Sequence, residues 1–195
     1  MKKKINLPNK ITIFRMCVVI AIIILALLRP GESFGGEIVR HDYRSISILI
    51  LFVIGSASDF LDGYLARKNN LVTTFGKFMD PIADKLLVNT LFIFLSGGAI
   101  SGIEMPWIIT AIMISRDIVV DAIRMIVVEK GTVIAASKLG KLKTVTQMIA
   151  LILILAFPGI TWMVVFAYVA AIASLVSGID YFIKNRKVLL SDLRG

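Results

Sequence analysis

The stretch SDFLDGYLARKNNLVTTFGKFMDPIADKL, residues 58–86, places four aspartates among apolar runs that are long enough for a membrane protein. On a helix, Asp59 and Asp62 share one stripe because they are three residues apart. Asp80 and Asp84, four residues apart, share a stripe in the same way. The segment between the two helices, KNNLVTT, is short and polar. We therefore predict two antiparallel neighbouring helices whose aspartates face each other.

Four carboxylates that lie close together at a membrane edge repel one another and need protons or cations. Oxygen ligands without His or Cys suit hard divalent ions, Mg²⁺ or Mn²⁺, and two such ions side by side support phosphoryl transfer. Gly63 and Gly76 lie on the same stripes, where a missing side chain admits either a ligand or a packed helix. The aspartates also have two alternative explanations. Asp80 could be the N-cap of a helix with Pro81 at its first position, and Asp59 or Asp62 could form an ion pair with Arg67.

The composition of the chain is that of a membrane protein. Of its 195 residues 57% are hydrophobic, and the net charge is +9. Basic cytoplasmic loops at an anionic lipid surface explain this charge better than nucleic-acid binding does. Cys17 is the only cysteine, which excludes a disulfide framework. We expect one membrane domain over residues 1–195, whose first apolar run is a retained helix rather than a signal peptide.

Six apolar runs predict an all-α fold of six transmembrane helices. Five runs are long enough, or nearly so, to cross a bilayer, and the short sixth run, Thr144–Phe157, is expected to belong to a longer helix. With six crossings most basic residues fall on one side, which predicts that both termini are cytoplasmic. The opposite loops then hold only Arg29, Arg40 and Arg44. The other runs are Ile11–Leu28, Ile46–Leu65, Leu86–Ile103, Trp107–Val128 and Ile160–Ile183.

The opening stretch resembles the signature of the CDP-alcohol phosphatidyltransferase family, D-x2-D-G-x2-A-R-x8-G-x3-D-x3-D, and fills every fixed position. The resemblance implies six transmembrane helices around a polar cavity that faces the cytoplasm, usually in a homodimer, in the bacterial cytoplasmic membrane. It also implies transfer of a substituted phosphate from a CDP-linked lipid or alcohol to a hydroxyl, with release of CMP. The matching positions are Asp59, Asp62, Gly63, Ala66, Arg67, Gly76, Asp80 and Asp84.

The same resemblance implies a role for each matching position. Asp59, Asp62 and Asp80 would bind two divalent ions, Mg²⁺ or Mn²⁺, and Asp84 would be a further ligand or the general base. The residues implied to border the cytidine nucleotide are Gly63, Ala66, Arg67 and Gly76. The aspartates would then lie at the lipid edge because the diphosphate of a lipid substrate lies there too.

Three further segments resemble the branch of this family that uses CDP-diacylglycerol and sn-glycerol 3-phosphate and forms phosphatidylglycerol phosphate. They are NLPNKITIFR, residues 6–15, ISRD, residues 114–117, and GKLKTVTQ, residues 140–147. Many members of the branch carry glutamate where this chain has Asp117, which is one methylene shorter.

Charged residues inside the fourth apolar run independently favour a phosphorylated acceptor, because such residues are too costly to face lipid. Arg124 shares a stripe with Asp117 and Asp121, so an internal ion network is its alternative, whereas Arg116 lies outside that stripe. Candidate contacts to the acceptor phosphate are Arg116, Arg124, Lys141 and Lys143, of which the lysines are alternatively plain orientation signals. Candidate contacts to the diphosphate or to an incoming substrate are Asn9, Thr12 and Arg15, which alternatively cap the first helix or snorkel.

Two other functions remain open at this point. Within the same chemistry, inositol phosphate is the nearest rival acceptor. A divalent-cation membrane carrier belongs to a different class, but a carrier typically has its carboxylates near the bilayer centre and often has internal repeats. Here the aspartates lie at the predicted cytoplasmic edge and no repeat is visible.

Overall fold

The computed structural model describes residues 6–27, 39–68, 73–129 and 137–193, and all regular elements in these ranges are helical. The all-α prediction is therefore confirmed for the described residues. The helices are α1 Leu7–Leu27, α2 Val39–Lys68, α3 Thr74–Ser96, α4 Trp107–Glu129, α5 Lys138–Ala156 and α6 Val164–Leu193, the last preceded by a short 3-10 helix, Thr161–Met163.

The first of two compact units consists of Met1–Glu104 and Leu155–Ile160, and in it α1 packs against both α2 and α3. Gly55 on α2 allows this close packing, because a Cβ atom there would lie 3.0 Å from a methyl carbon of Leu87 and 3.4 Å from one of Val18. Apolar side chains of all three helices form the core. They include Val18, Val19, Ile22, Ile48, Phe52, Leu87, Leu91, Phe92 and Leu95.

The start of α3 is fixed by Thr73, whose hydroxyl oxygen accepts the backbone N–H of Gly76 at 3.0 Å. A threonine oxygen at this position satisfies one of the N–H groups that a helix start leaves without a partner. The alternative that placed Asp80 at the N-cap is wrong, since Pro81 lies inside the helix. The aspartates of α3 thus lie in its second and third turns.

The end of α3 also differs from the predicted span Leu86–Ile103, because the helix ends at Ser96. The reason is the glycine pair that follows: Gly98 has a φ of +64°, a backbone conformation that side chains disfavour. The N–H of Ala99 then donates to the carbonyl of Phe94 at 2.9 Å and closes the turn. At its other end the helix begins twelve residues before the predicted span.

The start of α2 lies within the segment that was expected to be a polar loop. The helix begins at Val39, and Arg44 donates a hydrogen bond to the carbonyl of Ala99, which ties the start of α2 to the turn after α3. The side chain of His41 lies outside the described residues, as do residues 28–38.

The second unit consists of Met105–Ile154 and Thr161–Gly195, and in it α4 packs along α6. A small core of Val120, Ile123, Val127 and Tyr181 joins these two helices, and Val188 packs against it. Helix α5 contains the short run Thr144–Phe157 except for its last residue, so the prediction that this run belongs to a longer helix is confirmed. Helix α6 continues ten residues beyond its predicted end at Ile183.

Three described helical segments are long and apolar enough to cross a membrane, Leu7–Leu27, Lys138–Ala156 and Thr161–Arg186. Helices α2, α3 and α4 have sufficient length at 30, 23 and 23 residues. Their charged residues, including those of the motif, lower their mean hydropathy. The fold is accordingly that of an α-helical membrane protein.

Candidate active site

The motif lies at the end of α2 and the start of α3, and both helices pack against α1. Asp59 belongs to α2, whereas Asp80 and Asp84 lie one turn apart on α3. The helical backbone of α2 continues through the next four motif positions, whose side chains lie outside the described residues. These four are Asp62, Gly63, Ala66 and Arg67.

Arg15 of α1 contacts the first aspartate of the motif. Its Nη1 atom lies 2.7 Å from Oδ1 of Asp59, although the N–H bonds are not directed at that oxygen, so the contact is an ion pair. The Arg15 side chain is fully buried, which excludes snorkelling, while 47% of the Asp59 side chain is exposed. Arg15 Nε also donates to the hydroxyl oxygen of Ser58 at 3.5 Å, and Ser58 donates to the carbonyl of Gly55 at 2.6 Å.

Thr12, almost one turn before Arg15 on α1, contacts the third aspartate. Its hydroxyl oxygen lies 2.6 Å from Oδ1 of Asp80 and 3.2 Å from the carbonyl oxygen of Pro8. A hydroxyl has one proton to donate. The shorter distance and the charge of the carboxylate assign that proton to Asp80, since a charge-assisted hydrogen bond is the stronger of the two.

Asn9 completes this row on α1 through the cap of α3. Its Oδ1 accepts the hydroxyl proton of Thr73 at 2.7 Å, and Thr73 in turn accepts the N–H of Gly76. A Cβ atom on Gly76 would lie 3.3 Å from the Thr73 hydroxyl and 3.5 Å from Oδ2 of Asp80. Asn9, Thr12 and Arg15 thus follow one another at intervals of three residues and each contacts the motif or its cap.

The donor chemistry of the motif fits a hard divalent cation. The described contacts with α1 engage Oδ1 of Asp59 and Oδ1 of Asp80, and a carboxylate has a second oxygen that can coordinate a cation. Among the side chains that the structure describes, no three His, Cys, Asp or Glu residues lie close enough to hold a metal ion. Asp62 is not among those side chains, so the set of four aspartates is described only in part.

A second polar cluster lies within the second unit, where Lys143 of α5 meets Asp117 of α4. The Nζ atom of Lys143 lies 2.7 and 2.8 Å from the two carboxylate oxygens of Asp117. Arg116 places Nη1 3.0 Å from Oδ1 of Asp117 and donates from Nη2 to the Ser177 hydroxyl oxygen at 2.6 Å. Two cations thus share one carboxylate in an almost fully buried position.

Of the four candidate contacts to the acceptor phosphate, two lie together in the structure and two do not. Arg116 and Lys143 meet at Asp117, so Arg116 belongs to an ion network even though it lies outside the helical stripe of the acidic residues. Arg124 lies over the ring of Tyr181, 5.7 Å from its centroid, with Nε 3.3 Å from the phenol oxygen. Lys141 is exposed. The structure therefore brings together two of the four residues.

A cavity of about 490 Å³ lies between α4 and α6 in this unit, and apart from Ser115 and Arg116 its lining is apolar or glycine. The motif aspartates do not line it. Its walls suit a hydrocarbon environment better than a nucleotide.

Sequence reasoning missed Thr73, Ser177 and Gly178 as parts of the two clusters. Each is a small residue whose contact depends on a partner far away in the chain, and Arg116 and Ser177 are 61 residues apart. The available signal was weak: a serine and a glycine together inside an apolar helix, which is also common where helices pack closely.

The fold and the motif define a membrane phosphatidyltransferase, and the chain belongs to the CDP-alcohol phosphatidyltransferase family, whose model matches residues 5–177. This match confirms the resemblance seen in the motif. A CDP-diacylglycerol–glycerol-3-phosphate 3-phosphatidyltransferase of Bacillus subtilis is 39% identical, with 94% of this chain and 97% of that protein aligned. The protein of the same name from Rickettsia typhi is 37% identical, with coverages of 91% and 95%. A probable phosphatidylglycerophosphate synthase of Mycobacterium tuberculosis is 35% identical, with coverages of 90% and 79%.

Proposed function

We propose that this protein transfers the phosphatidyl group of CDP-diacylglycerol to sn-glycerol 3-phosphate, giving phosphatidylglycerol phosphate and CMP. The observation that carries the proposal is the complete motif on α2 and α3, with Asp59 and Asp80 both held by α1. Family membership and relatives whose names specify this reaction support it over nearly the whole chain. The product belongs to phospholipid biosynthesis.

The reaction is a displacement at the phosphorus that carries diacylglycerol. A hydroxyl oxygen of glycerol 3-phosphate forms a bond to this phosphorus, and the bond to the oxygen that bridges the two phosphates breaks. CMP leaves with that bridging oxygen. The proton of the attacking hydroxyl passes to a base, for which we propose Asp84, one turn beyond Asp80 on α3.

The aspartates Asp59, Asp62, Asp80 and Asp84 would hold two divalent ions, Mg²⁺ or Mn²⁺, with Asp84 less fully engaged than the others. Bound there, the ions would neutralise the diphosphate and stabilise the charge that develops on the leaving CMP. We propose that Thr12 and Arg15, which are buried and directed at the aspartates, orient these carboxylates and do not contact the diphosphate, while Asn9 acts through the cap of α3.

The nucleotide would lie against the small motif residues Gly63, Ala66 and Gly76, with Arg67 at its border. A side chain at Gly76 would be tight against the cap of α3, because its Cβ atom would lie 3.3 Å from the Thr73 hydroxyl. For the acceptor phosphate we propose Arg116 and Lys143, two cations whose side chains meet at the carboxylate of Asp117.

We further propose that six helices cross the bilayer with both termini cytoplasmic, so that the motif faces the cytoplasm. Exposed apolar side chains on α2 and α3, such as Ile50, Val53, Phe78 and Ile93, support lipid contact for helices whose other faces carry the charges. A homodimer would agree with the family, as would a location in the bacterial cytoplasmic membrane.

The decisive experiment is CMP release by purified protein with CDP-diacylglycerol and Mg²⁺. Glycerol 3-phosphate, inositol phosphate, serine and phosphatidylglycerol are offered separately, and we expect release with the first alone. Release with inositol phosphate instead would reassign the acceptor. Cation uptake into liposomes without CMP release from any acceptor would replace the transferase by a carrier.

A further inference from the structure

Two adjacent residues of α6, Ser177 and Gly178, contact the side chain of Arg116, one at its guanidinium group and the other at its aliphatic part. The Ser177 hydroxyl accepts a hydrogen bond from Nη2 at 2.6 Å, and Ser177 is fully buried. A Cβ atom on Gly178 would lie 2.9 Å from Cγ of Arg116, 3.9 Å from Cδ and 3.8 Å from Nε. Carbon atoms pack at about 3.5–4.0 Å, so the first of these distances leaves no room for a side chain at position 178.

We infer that Ser177 and Gly178 are positioning residues that act through Arg116 and thereby set the affinity for the phosphate of the acceptor. The inference rests on the proposed function, in which Arg116 binds that phosphate. Neither residue belongs to the family signature, and the family model ends at residue 177.

The donors of the guanidinium explain why its position matters. Nη1 contacts Asp117 and Nη2 contacts Ser177, while Nε is buried and has no hydrogen-bond partner among the described residues. A guanidinium is a planar fork whose donors point in fixed directions. Fixing the outer nitrogens therefore fixes the direction of Nε, and the bare backbone at Gly178 leaves room beside that donor.

The competing explanation is that Gly178 only allows α4 and α6 to pack closely. In that case a side chain at 178 would destabilise the protein whether or not Arg116 is present. If Gly178 acts through Arg116, removing the arginine abolishes the effect of the glycine substitution. A double-mutant cycle separates the two explanations, since only interacting residues give non-additive effects.

The experiment uses the full chain in detergent or nanodiscs with Ser177→Ala and Gly178→Ala, each alone and combined with Arg116→Ala. CMP release gives kcat and the KM values for glycerol 3-phosphate and CDP-diacylglycerol, and thermal unfolding monitors folding. Ser174→Ala is the control for the serine, because the Ser174 hydroxyl is buried and has no hydrogen-bond partner among the described residues. Gly97→Ala is the control for the glycine, since a Cβ atom there would meet only backbone oxygens at 3.8 and 3.9 Å.

We expect Ser177→Ala to raise the KM for glycerol 3-phosphate about two- to tenfold, less than the full value of a hydrogen bond to a charged group because Arg116 keeps its contact with Asp117. Gly178→Ala should raise it about tenfold or more, up to the effect of Arg116→Ala. The KM for CDP-diacylglycerol should not change. In the Arg116→Ala background neither substitution should add to the increase, and both controls should behave as the unmodified protein does.

Two results would overturn the inference while leaving the proposed function intact. The first is that Arg116→Ala raises the KM for the acceptor whereas Ser177→Ala leaves it unchanged. The other is an effect of Ser177→Ala or Gly178→Ala that persists in full without Arg116. Should Gly178→Ala fail to fold, the cycle between Ser177 and Arg116 decides alone. If Arg116→Ala itself leaves the acceptor KM unchanged, the acceptor site of the proposed function is refuted.

Discussion

Replacing Thr12 by valine tests whether α1 orients the aspartates of the motif. Valine keeps the shape of threonine and removes the hydroxyl that donates to Oδ1 of Asp80 at 2.6 Å. Thr12 is buried, so water does not readily replace the lost donor. The substitution therefore removes the hydrogen bond that would orient the carboxylate of Asp80.

The magnitude follows from the kind of hydrogen bond. A hydrogen bond to a charged group contributes about 1.5–3 kcal/mol, which corresponds to about ten- to a hundredfold in an equilibrium constant. Loss of a group that orients a metal ligand costs a similar factor, about 10–100-fold, in metal affinity or activity. We expect Thr12→Val to weaken Mn²⁺ binding by that factor and to raise the Mg²⁺ concentration needed for half-maximal CMP release.

The assay pairs a Mn²⁺ titration followed by electron paramagnetic resonance with the Mg²⁺ dependence of CMP release. Thr12→Ser keeps the hydroxyl and should retain nearly full affinity. Ser45→Ala removes a buried hydroxyl of α2 that has no hydrogen-bond partner among the described residues, and it should change neither measurement. Unaltered Mn²⁺ affinity in Thr12→Val, with the protein folded, would refute the orienting role.

Three further predictions concern the aspartates. Asp84→Asn should lower kcat on the order of 10²–10⁴-fold with Mn²⁺ and CDP-diacylglycerol binding nearly intact by calorimetry; a parallel loss of metal affinity would make Asp84 a ligand and not the base. EDTA should abolish CMP release and added Mg²⁺ or Mn²⁺ should restore it, so activity that survives exhaustive chelation argues against the pair of ions. Asp117→Leu removes the buried carboxylate that Lys143 and Arg116 share and should destabilise the protein by about 3–5 kcal/mol, seen as a lower unfolding temperature; an unchanged temperature would show that this carboxylate does not stabilise the fold.

Local spacing predicted the parts of the site that lie on one helix. Asp80 and Asp84 share a face of α3 because helical periodicity acts over a few residues, and the same rule placed Gly76 beside them. The alternative start at Pro81 could not be decided from spacing, since proline suits the first turn and is also tolerated where neighbouring groups compensate. The cap at Thr73 decided it, through contacts with Gly76 and Asn9.

Contacts between distant segments could not be predicted from local spacing. Thr12 and Asp80 are 68 residues apart, and Asn9 and Thr73 are 64 apart, so their meeting depends on how α1 packs. Arg116 was placed outside the ion network because the stripe rule compares Cβ directions, whereas a long flexible arginine reaches the carboxylate of its sequence neighbour Asp117. The end of α3 was misjudged because hydropathy alone does not show that a pair of glycines ends the helix.

The ion pair between the buried Arg15 of α1 and the half-exposed Asp59 of α2 has a consequence for how this protein enters the membrane during synthesis. Arg15 leaves the ribosome well before its partner Asp59, and an unpaired arginine is costly inside a bilayer. The first helix should therefore remain near the translocon or the interface until the second arrives, and the two should partition into lipid together. In this way the ion pair between Arg15 and Asp59 would cause the first two helices to insert together and not one after the other.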